Sequence, residues 1–187
     1  MRNQNHLFPE EDTLAQEMLG LGLPDRIVAV LVNEKDTPEG KVRLSWVKKL
    51  ITDYSYPPPQ LDINVAAGVG REAGKRQTPV RADIVVYRDA NKAQPFIVVE
   101  TKAPNKKQGV PQAESYARNL GAEYHVWSNN EYQLFFKTAR YATQSEPTFA
   151  LPSWVGNKPI LQKVPKTQIL PPFRDEVELR QVIGMCH

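Results

Sequence analysis

Apolar residues recur at two different periods along the chain, and these periods predict the order of helices and strands. Residues 11–20 have the pattern of a short helix, whereas the continuous apolar run at residues 27–32 predicts a buried strand. In residues 41–54 the apolar positions return at helical spacing, with basic residues between them. The prolines at 57–59 end this amphipathic helix, because the residue before a proline disfavours the helical conformation.

The pattern that follows consists of short strands with a single helix between them. The strands are predicted at residues 61–66, 82–87, 95–102, 123–127 and 132–136. A glycine-rich basic loop at 67–79 separates the first two strands, and a polar hairpin turn separates the next two. The helix at 111–120 begins at Pro111 and exits at Gly121, as helices commonly do. This order predicts an α/β fold with a mixed central sheet flanked by helices.

Proline positions divide the chain into three parts. Residues 38–140 hold the predicted core, and residues 1–37 are expected to be an N-terminal extension that packs on it. Residues 141–187 predict a connector, extended and proline-rich between 146 and 172, which ends in the start of a helix without a cap. We therefore expect the natural protein to continue into a further domain.

Composition argues against several classes of protein. Cys186 is the single cysteine among 187 residues, which excludes a disulfide framework and a cysteine-rich zinc site within this sequence. The first residues do not have the pattern of a signal peptide, and the apolar run at 27–32 is too short to span a bilayer. The three histidines are far apart in sequence, and His125 is expected to be structural. The sequence thus predicts a cytoplasmic protein without a membrane segment.

Candidate chemistry lies at the ends of two neighbouring predicted strands. Glu100 and Lys102 close the third strand two residues apart, so strand alternation places them on the same face. Asp83 opens the preceding strand, and pairing through the hairpin lets Asp83 and Glu100 converge. Two carboxylates at close range repel each other unless a cation lies between them, and oxygen ligands suit Mg²⁺ or Mn²⁺. Such a cation activates water and neutralises charge on a phosphate, with Lys102 stabilising that charge or positioning the water.

Each of these motifs has a simpler interpretation. A lone acid-x-lysine is usually an exposed strand end with a salt bridge, because motifs this short often occur by chance. Gln112 and Tyr116 share one face of the following helix, where they can contact Lys102, a phosphate or a base, but Tyr116 can equally be a core residue and Gln112 a solvated one. The joint order of acid, hairpin, acid-x-lysine and helix favours the functional interpretation.

Basic residues cluster on both sides of the motif, although the net charge is only +3. They are Arg71, Lys75, Arg76, Arg81, Lys106 and Lys107. Such clusters contact phosphates, and they are predicted to bind nucleic acid here. A solvated loop is the usual explanation for a basic cluster taken alone.

Residues 38–137, and most strongly 80–136, resemble the N-terminal nuclease domain of type I restriction enzyme R subunits (HsdR), of the PD-(D/E)XK superfamily. They also resemble the same domain fused to adenine-specific DNA methyltransferases. The family pattern is an acid, then E-x-K, then Q-x-x-x-Y, which falls on Asp83, on Glu100 with Lys102, and on Gln112 with Tyr116. The residue directly before Asp83 is Ala82 rather than a proline, at a position where the family varies.

The resemblance implies a restriction-endonuclease-like fold and a Mg²⁺-dependent DNA endonuclease of a restriction–modification system, in which Mn²⁺ can substitute. It implies DNA as a partner, together with further domains or subunits that carry helicase, methyltransferase or specificity functions. The superfamily often adds an acid from the first core helix to the metal site. Glu39 is the nearest candidate for that acid, and Asp62 is the alternative.

Two other functions fit the same residues. One is a non-catalytic domain of this fold that binds DNA or serves assembly, and the other is a repair nuclease or an RNA nuclease of the same superfamily. An ATPase motor is not expected within this chain, because residues 70–76 lack the spacing and the final hydroxyl residue of a P-loop.

Overall fold

The computed structural model describes residues 12–70, 78–139 and 145–161. Its elements, in chain order, are α1 (Thr13–Gly20), α2 (Asp25–Glu34), α3 (Pro38–Thr52), the 3₁₀ turn Pro58–Gln60, β1 (Leu61–Gly70), β2 (Thr78–Tyr87), β3 (Pro95–Thr101), α4 (Val110–Leu120), β4 (Tyr124–Ser128), β5 (Gln133–Lys137), β6 (Glu146–Thr148), β7 (Ser153–Val155) and β8 (Lys158–Ile160). In these ranges, no helix combines the length and the apolar character needed to cross a membrane.

The central sheet contains β1 to β6 in sequence order. Strands β3 and β4 are parallel, and every other neighbouring pair in this sheet is antiparallel. A parallel pair requires a long crossover, and α4 supplies it. The prediction of an α/β fold with a mixed sheet is confirmed.

Helices cover both faces of this sheet, as strand alternation requires when both faces are apolar. The α1–α3 face is lined by Leu61, Ile63, Ile84, Val86, Ile97, Val99 and Val126. On the opposite face, Val85 and Val98 pack with Tyr116 and Ala117 of α4. Each aliphatic side chain buried in this way contributes about 1.5–3 kcal/mol relative to an exposed one. The predicted arrangement of helices flanking the sheet is confirmed.

The prediction of a strand at residues 27–32 is wrong, because this run lies within helix α2. Its buried residues, Ile27, Val28 and Leu31, are spaced as one helix face. Pro24 precedes the helix and Asp25 lies in its first turn, which are start signals. The helix is apolar on more than one side because it packs between α1 and α3, and that packing hides its period in the sequence.

Strands β1 and β2 are longer than predicted, so residues 67–70 and 78–79 are strand rather than loop. Their register continues to Gly70 opposite Thr78, whereas β3 pairs with β2 only from Ile84 to Tyr87. The two strands therefore extend past β3 as a ribbon. Gly68 has a φ of +124° at a register shift in this ribbon, and a strand with such a residue has no simple alternation to detect.

The prediction of an extended connector from residue 146 is wrong for the part that the structure describes. Residues 146–148 form β6, which adds an outer strand beside β5, and β7 pairs with β8. Pro147 and Pro159 lie in these short strands, where a missing N–H is tolerated at an edge. The remainder of the predicted connector and the terminal helical pattern lie outside the described residues.

Candidate active site

Asp83 lies on β2 at the point where pairing with β3 begins. Ile84 opposes Val99, so the same register continued by one residue sets Asp83 opposite Glu100. Asp83 Oδ2 accepts hydrogen bonds from the Thr101 backbone N at 2.7 Å and from Thr101 Oγ1 at 2.8 Å. Asp83 Oδ1 accepts one from Nη2 of Arg43 at 2.5 Å. The carboxylate is thus held by three donors while only 7% exposed.

Arg43 is a residue of the site that the sequence interpretation missed. It lies on α3, is 6% exposed, and donates through its other terminal nitrogen to Glu34. The sequence did contain a sign that Arg43 is buried, because Arg43 precedes the buried Trp46 and Val47 by three and four positions and so shares their helix face. A charged residue on a buried face needs a partner, which predicts an ion pair but not which acid completes it.

Glu100 and Lys102 lie together, as the sequence predicts. Lys102 Nζ donates to Glu100 Oε1 at 2.6 Å, and Glu100 is 1% exposed. Glu100 Oε2 is buried and has no hydrogen-bond partner among the described residues. Burial, followed by the Asp83 charge, raises the pKa of Glu100 to about 8, although Lys102 opposes the shift. Burial lowers the pKa of Lys102, but the Glu100 carboxylate outweighs it and leaves that pKa above its ordinary value.

The two candidates for an additional acid lie in different surroundings. Glu39 is half-buried in the first turn of α3, and its charge raises the pKa values of both Glu100 and Lys102. Asp62 instead receives Arg26 at 2.5 Å and Lys92 at 3.2 Å. Those ion pairs tie β1 to α2 and to the β2–β3 turn, which gives Asp62 a structural role. Of the two candidates, Glu39 is therefore the acid nearer to Glu100 and Lys102.

Gln112 and Tyr116 are joined on α4, with Gln112 Nε2 donating to the Tyr116 hydroxyl at 2.7 Å. The Tyr116 ring packs in the core between α4 and the sheet. Burial raises the pKa of Tyr116, and the charges of Glu100 and Asp83 raise it further while Lys102 lowers it. The hydroxyl is therefore within electrostatic reach of the three charged residues, while the ring is a core residue.

Three of the six residues predicted to bind nucleic acid, Arg81, Lys106 and Lys107, lie within the described residues. Arg81 is exposed on the β1–β2 ribbon, and its Nη1 donates to the backbone oxygen of Asn64 at 2.7 Å. Lys106 and Lys107 are exposed on the loop between β3 and α4. Arg71, Lys75 and Arg76 lie outside the described residues.

Asn129, which the sequence interpretation also missed, fixes the loop that follows Lys102. The residue is fully buried, and its Nδ2 donates to the backbone oxygens of Pro104 at 2.9 Å and Lys106 at 2.8 Å. Its Oδ1 accepts the backbone N–H groups of Glu131 and Tyr132. One side chain thereby ties the loop after β3 to the turn after β4.

Replacing Asn129 with alanine is expected to cost about 2–4 kcal/mol, since four partly buried backbone hydrogen bonds are lost. Urea unfolding of the variant measures this loss. Glu131→Ala is the matched control, because that side chain is exposed in the same turn and should change stability by less than about 0.5 kcal/mol. Equal stability of Asn129→Ala and the control would contradict the assigned anchoring role.

Gly109, at the start of α4, gives Lys102 the space it occupies. Its φ is +131°, and a Cβ there would lie 3.1 Å from Lys102 Cε and 2.8 Å from Trp127 Nε1. Trp127 is held in place because Nε1 donates to the backbone oxygen of Gln108. A side chain at 109 must therefore displace Lys102 or the buried indole.

Gly109→Ala is expected to lower any activity that depends on Lys102 about tenfold to hundredfold, because a small displacement of a reacting group has effects of that size. Gly121→Ala is the control at the other end of α4, where φ is +72° but no neighbour lies within 4 Å of a new Cβ. Both variants should lose about 1–3 kcal/mol through backbone strain. Equal activity of the two proteins at matched folded fraction would contradict the steric role of Gly109.

His125 is buried against the sheet, where its ring stacks on Phe136 and Nδ1 lies 3.1 Å from Thr138 Oγ1. Burial lowers the pKa of His125 to about 4, so the ring is neutral at physiological pH. These contacts agree with the structural role expected from the sequence.

The site has oxygen atoms suited to a hard cation. Glu100 Oε2 is buried without a partner among the described residues, and Asp83 Oδ1 receives one described donor although an oxygen can accept two. No group of three or more His, Cys, Asp or Glu side chains within residues 12–70, 78–139 and 145–161 is placed to hold a metal ion. A cation here would therefore complete its shell with water, backbone oxygen or substrate, as Mg²⁺ commonly does.

Comparison with known proteins adds to this geometry. A family model described as the N terminus of the type I restriction enzyme R protein matches residues 38–152. Among solved structures, the chain is similar to a fragment assigned as the HsdR subunit of a type I restriction enzyme from Vibrio vulnificus YJ016, at 18% identity and a TM-score of 0.40. It is also similar to the type IIG restriction endonuclease BpuSI, at 20% identity and a TM-score of 0.39.

These alignments cover 74% of this chain and 24% of the first structure, and 57% of this chain and 12% of the second. The chain thus spans a minor part of the length of either. No curated protein matches the chain by sequence.

Proposed function

Because the chain belongs to the family of type I restriction enzyme R protein N termini, we propose that it is a Mg²⁺-dependent endonuclease domain that hydrolyses DNA phosphodiester bonds. The observation that carries the proposal is the buried pair of Glu100 and Lys102 beside Asp83, with Glu100 Oε2 unpartnered among the described residues. Ionisable groups buried together with an unpartnered oxygen are costly for stability, which favours a functional role over a purely structural one.

In this proposal Asp83 Oδ1 and Glu100 Oε2 hold Mg²⁺ or Mn²⁺. Glu39 is the candidate for an additional ligand, which would have to move toward them because the described side chains form no group of three ligands. The bound cation supplies an activated water and neutralises charge on the phosphate. Thr101 fixes Asp83 through two hydrogen bonds to Oδ2, so Oδ1, which accepts one bond from Arg43, is the oxygen with capacity left for the cation.

Lys102 is proposed to stabilise the charge that develops on the phosphate or to position the attacking water. Its Nζ reaches Glu100 Oε1 at 2.6 Å, so it lies beside the unpartnered carboxylate oxygen. Gln112 orients the Tyr116 hydroxyl at 2.7 Å, and this pair is proposed to contact the substrate phosphate or a base.

Basic residues outside the carboxylate pair are proposed to bind the DNA backbone. They are Arg81 on β2, Lys106 and Lys107 on the loop after β3, and Arg71, Lys75 and Arg76, which lie between β1 and β2 in sequence. Phosphate contacts of this type give affinity that falls with salt concentration and carry no sequence information.

We further propose that this domain, at residues 38–140, acts in the cytoplasm together with helicase, methyltransferase or specificity components. Those components are proposed to lie in other domains or subunits. Residues 1–37 are proposed as an extension that packs on the core, and a connector is proposed only beyond residue 161, after strands β6 to β8.

The test uses the complete gene product that carries this chain. Supercoiled plasmid, linear duplex, single-stranded DNA and RNA are incubated with Mg²⁺, Mn²⁺ or EDTA, with the unaltered protein beside Lys102→Ala. We expect duplex DNA cleavage that needs the divalent cation and Lys102. Cleavage of RNA alone would support an RNA nuclease instead, and DNA binding without cleavage under every condition would support a non-catalytic domain.

A further inference from the structure

Arg43 lies between two carboxylates of unequal exposure. Its side chain is 7% exposed, that of Asp83 is 10% exposed, and that of Glu34 is 35% exposed. Nη2 donates to Asp83 Oδ1 at 2.5 Å and Nη1 donates to Glu34, whereas Nε is buried without a partner among the described residues. A buried guanidinium stays charged, so its position depends on these two acids.

The atom that Arg43 contacts is also the one through which Asp83 can bind a cation. Thr101 supplies two donors to Oδ2, and a carboxylate oxygen accepts about two hydrogen bonds. Oδ1 therefore carries the remaining capacity of Asp83, and Arg43 already uses part of it. A guanidinium and a divalent cation at one oxygen repel each other strongly when water is largely excluded.

The charges around the site also indicate that Arg43 opposes the binding of a divalent cation. Two cations, Arg43 and Lys102, face the acids Asp83 and Glu100. A divalent cation entering this arrangement meets less net negative charge than it would between two unpaired carboxylates. Glu34, the more exposed acid, provides Arg43 with an anchor outside the pair.

We propose that Arg43 is a positioning residue, which serves as the resident counter-cation of Asp83, competes with the divalent cation for Oδ1 and shifts toward Glu34 when that cation binds. This inference rests on the proposed metal-dependent function. In the absence of metal, Arg43 holds the Asp83 side chain in place. Arg43 thereby weakens cation binding. Occupancy of the cation site is therefore expected to increase when a substrate phosphate adds negative charge.

Calorimetric titration of Mn²⁺ into the 187-residue chain tests the competition. Arg43→Gln removes the competing charge and should tighten Mn²⁺ binding by at least about tenfold, which corresponds to about 1.4 kcal/mol. Glu34→Gln should have the opposite effect and weaken binding several-fold, because Arg43 then pairs with Asp83 alone. A residue that only supports the fold would not tighten cation binding when it is lost.

Matched controls come from the exposed ion pair between Lys48, also on α3, and Glu17. Lys48→Gln and Glu17→Gln change the net charge by the same amounts and should leave the Mn²⁺ affinity unchanged. Arg43→Gln leaves Asp83 unpaired and can unfold the chain, which circular dichroism detects. In that case Glu34→Gln decides the question, since Glu34 is more exposed.

Glu100→Gln separates the two proposals. If Glu100→Gln abolishes Mn²⁺ binding while Arg43→Gln and Glu34→Gln leave it unchanged, the metal site is supported and the competition is refuted. Weaker binding by a folded Arg43→Gln protein refutes it as well. If neither the unaltered chain nor folded Arg43→Gln takes up Mn²⁺, the metal site itself is refuted, and the competition with it.

Discussion

Lys102→Ala is expected to reduce DNA cleavage by about two to three orders of magnitude, the effect typical of losing one group that stabilises a developing charge. Its ammonium group lies 2.6 Å from Glu100 Oε1 on a half-buried side chain, so truncation opens no core cavity. Cation binding should persist because both carboxylates remain. Plasmid nicking by the complete enzyme, beside Mn²⁺ calorimetry on the chain, measures the two effects separately. Lys158→Ala is the control, since Lys158 is exposed on β8 and belongs to none of the residues proposed to bind the cation or DNA.

Removing a carboxylate is expected to have a different result, because cation binding and cleavage are lost together. Asp83→Ala is a poor test, since Asp83 accepts three hydrogen bonds and pairs with the buried Arg43. Breaking such a buried pair costs about 3–5 kcal/mol, contrary to the small cost that a strand-end position suggests. Asp83→Asn keeps the shape of the side chain, and Glu100→Gln does the same at the other acid.

The combined results assign the roles. Nicking at the unaltered rate by Asp83→Asn would mean that the acid is wrongly assigned. Unaltered nicking by Asp83→Asn, Glu100→Gln and Lys102→Ala together would rule out a nuclease function for this domain. Loss of nicking by Lys102→Ala with Mn²⁺ binding retained would support its proposed role at the phosphate.

The sequence predicted the sheet best where strand pairing is local and both faces are buried. Strands β2 and β3 are joined by a short hairpin and read as apolar runs that end in charged residues, so their pairing and the convergence of Asp83 with Glu100 follow from alternation. The helix α4 was predicted for a similar reason, because Pro111 and Gly121 mark its ends.

Periodicity failed where tertiary packing outweighs the local pattern. Helix α2 packs against α1 and α3, and the partly buried Val30 and Val32 widen its apolar face, so a short apolar run resembled a strand. Pro147 lies in β6, Pro152 directly precedes β7, and Pro159 lies in β8. Rules based on a single sequence interpret a segment with so many prolines as a loop. The pairing of these strands depends on an available sheet edge, which no local window contains.

Part of the site could not be predicted because its contacts join residues distant in sequence. Arg43 meets Asp83 across 40 positions, and Asn129 reaches the backbone of Lys106 across 23. A motif search finds residues that react, and these two act by holding other groups. Arg43 had a detectable signal as a charge on an apolar helix face, whereas Asn129 follows a strand as any turn residue does.

Glu100 is also expected to make the stability of the metal-free chain depend on pH. Its pKa is about 8 in the folded chain and near 4.5 as an ordinary glutamate, so between these values the folded state retains a proton that the unfolded state has lost. The free energy of unfolding therefore decreases as pH rises from about 4.5 to 8, by at most about 1.4 kcal/mol per pH unit. Above pH 8 both states are deprotonated, and this contribution stops changing.

Glu100→Gln removes that dependence, since glutamine resembles the protonated acid at every pH. The variant should match the unaltered chain near pH 5 and exceed it by about 2–4 kcal/mol at pH 8, an amount that the ion pair with Lys102 reduces. Urea unfolding of both proteins in EDTA at pH 5, 6.5, 8 and 9 gives the difference, in which other titrating groups cancel. Glu146→Gln, exposed on the edge strand β6, serves as the control.

A difference that stays constant from pH 5 to 8 would show that Glu100 is ionised throughout. Cation binding would then release no proton from it, whereas the structure predicts Mn²⁺ affinity that increases with pH up to about 8.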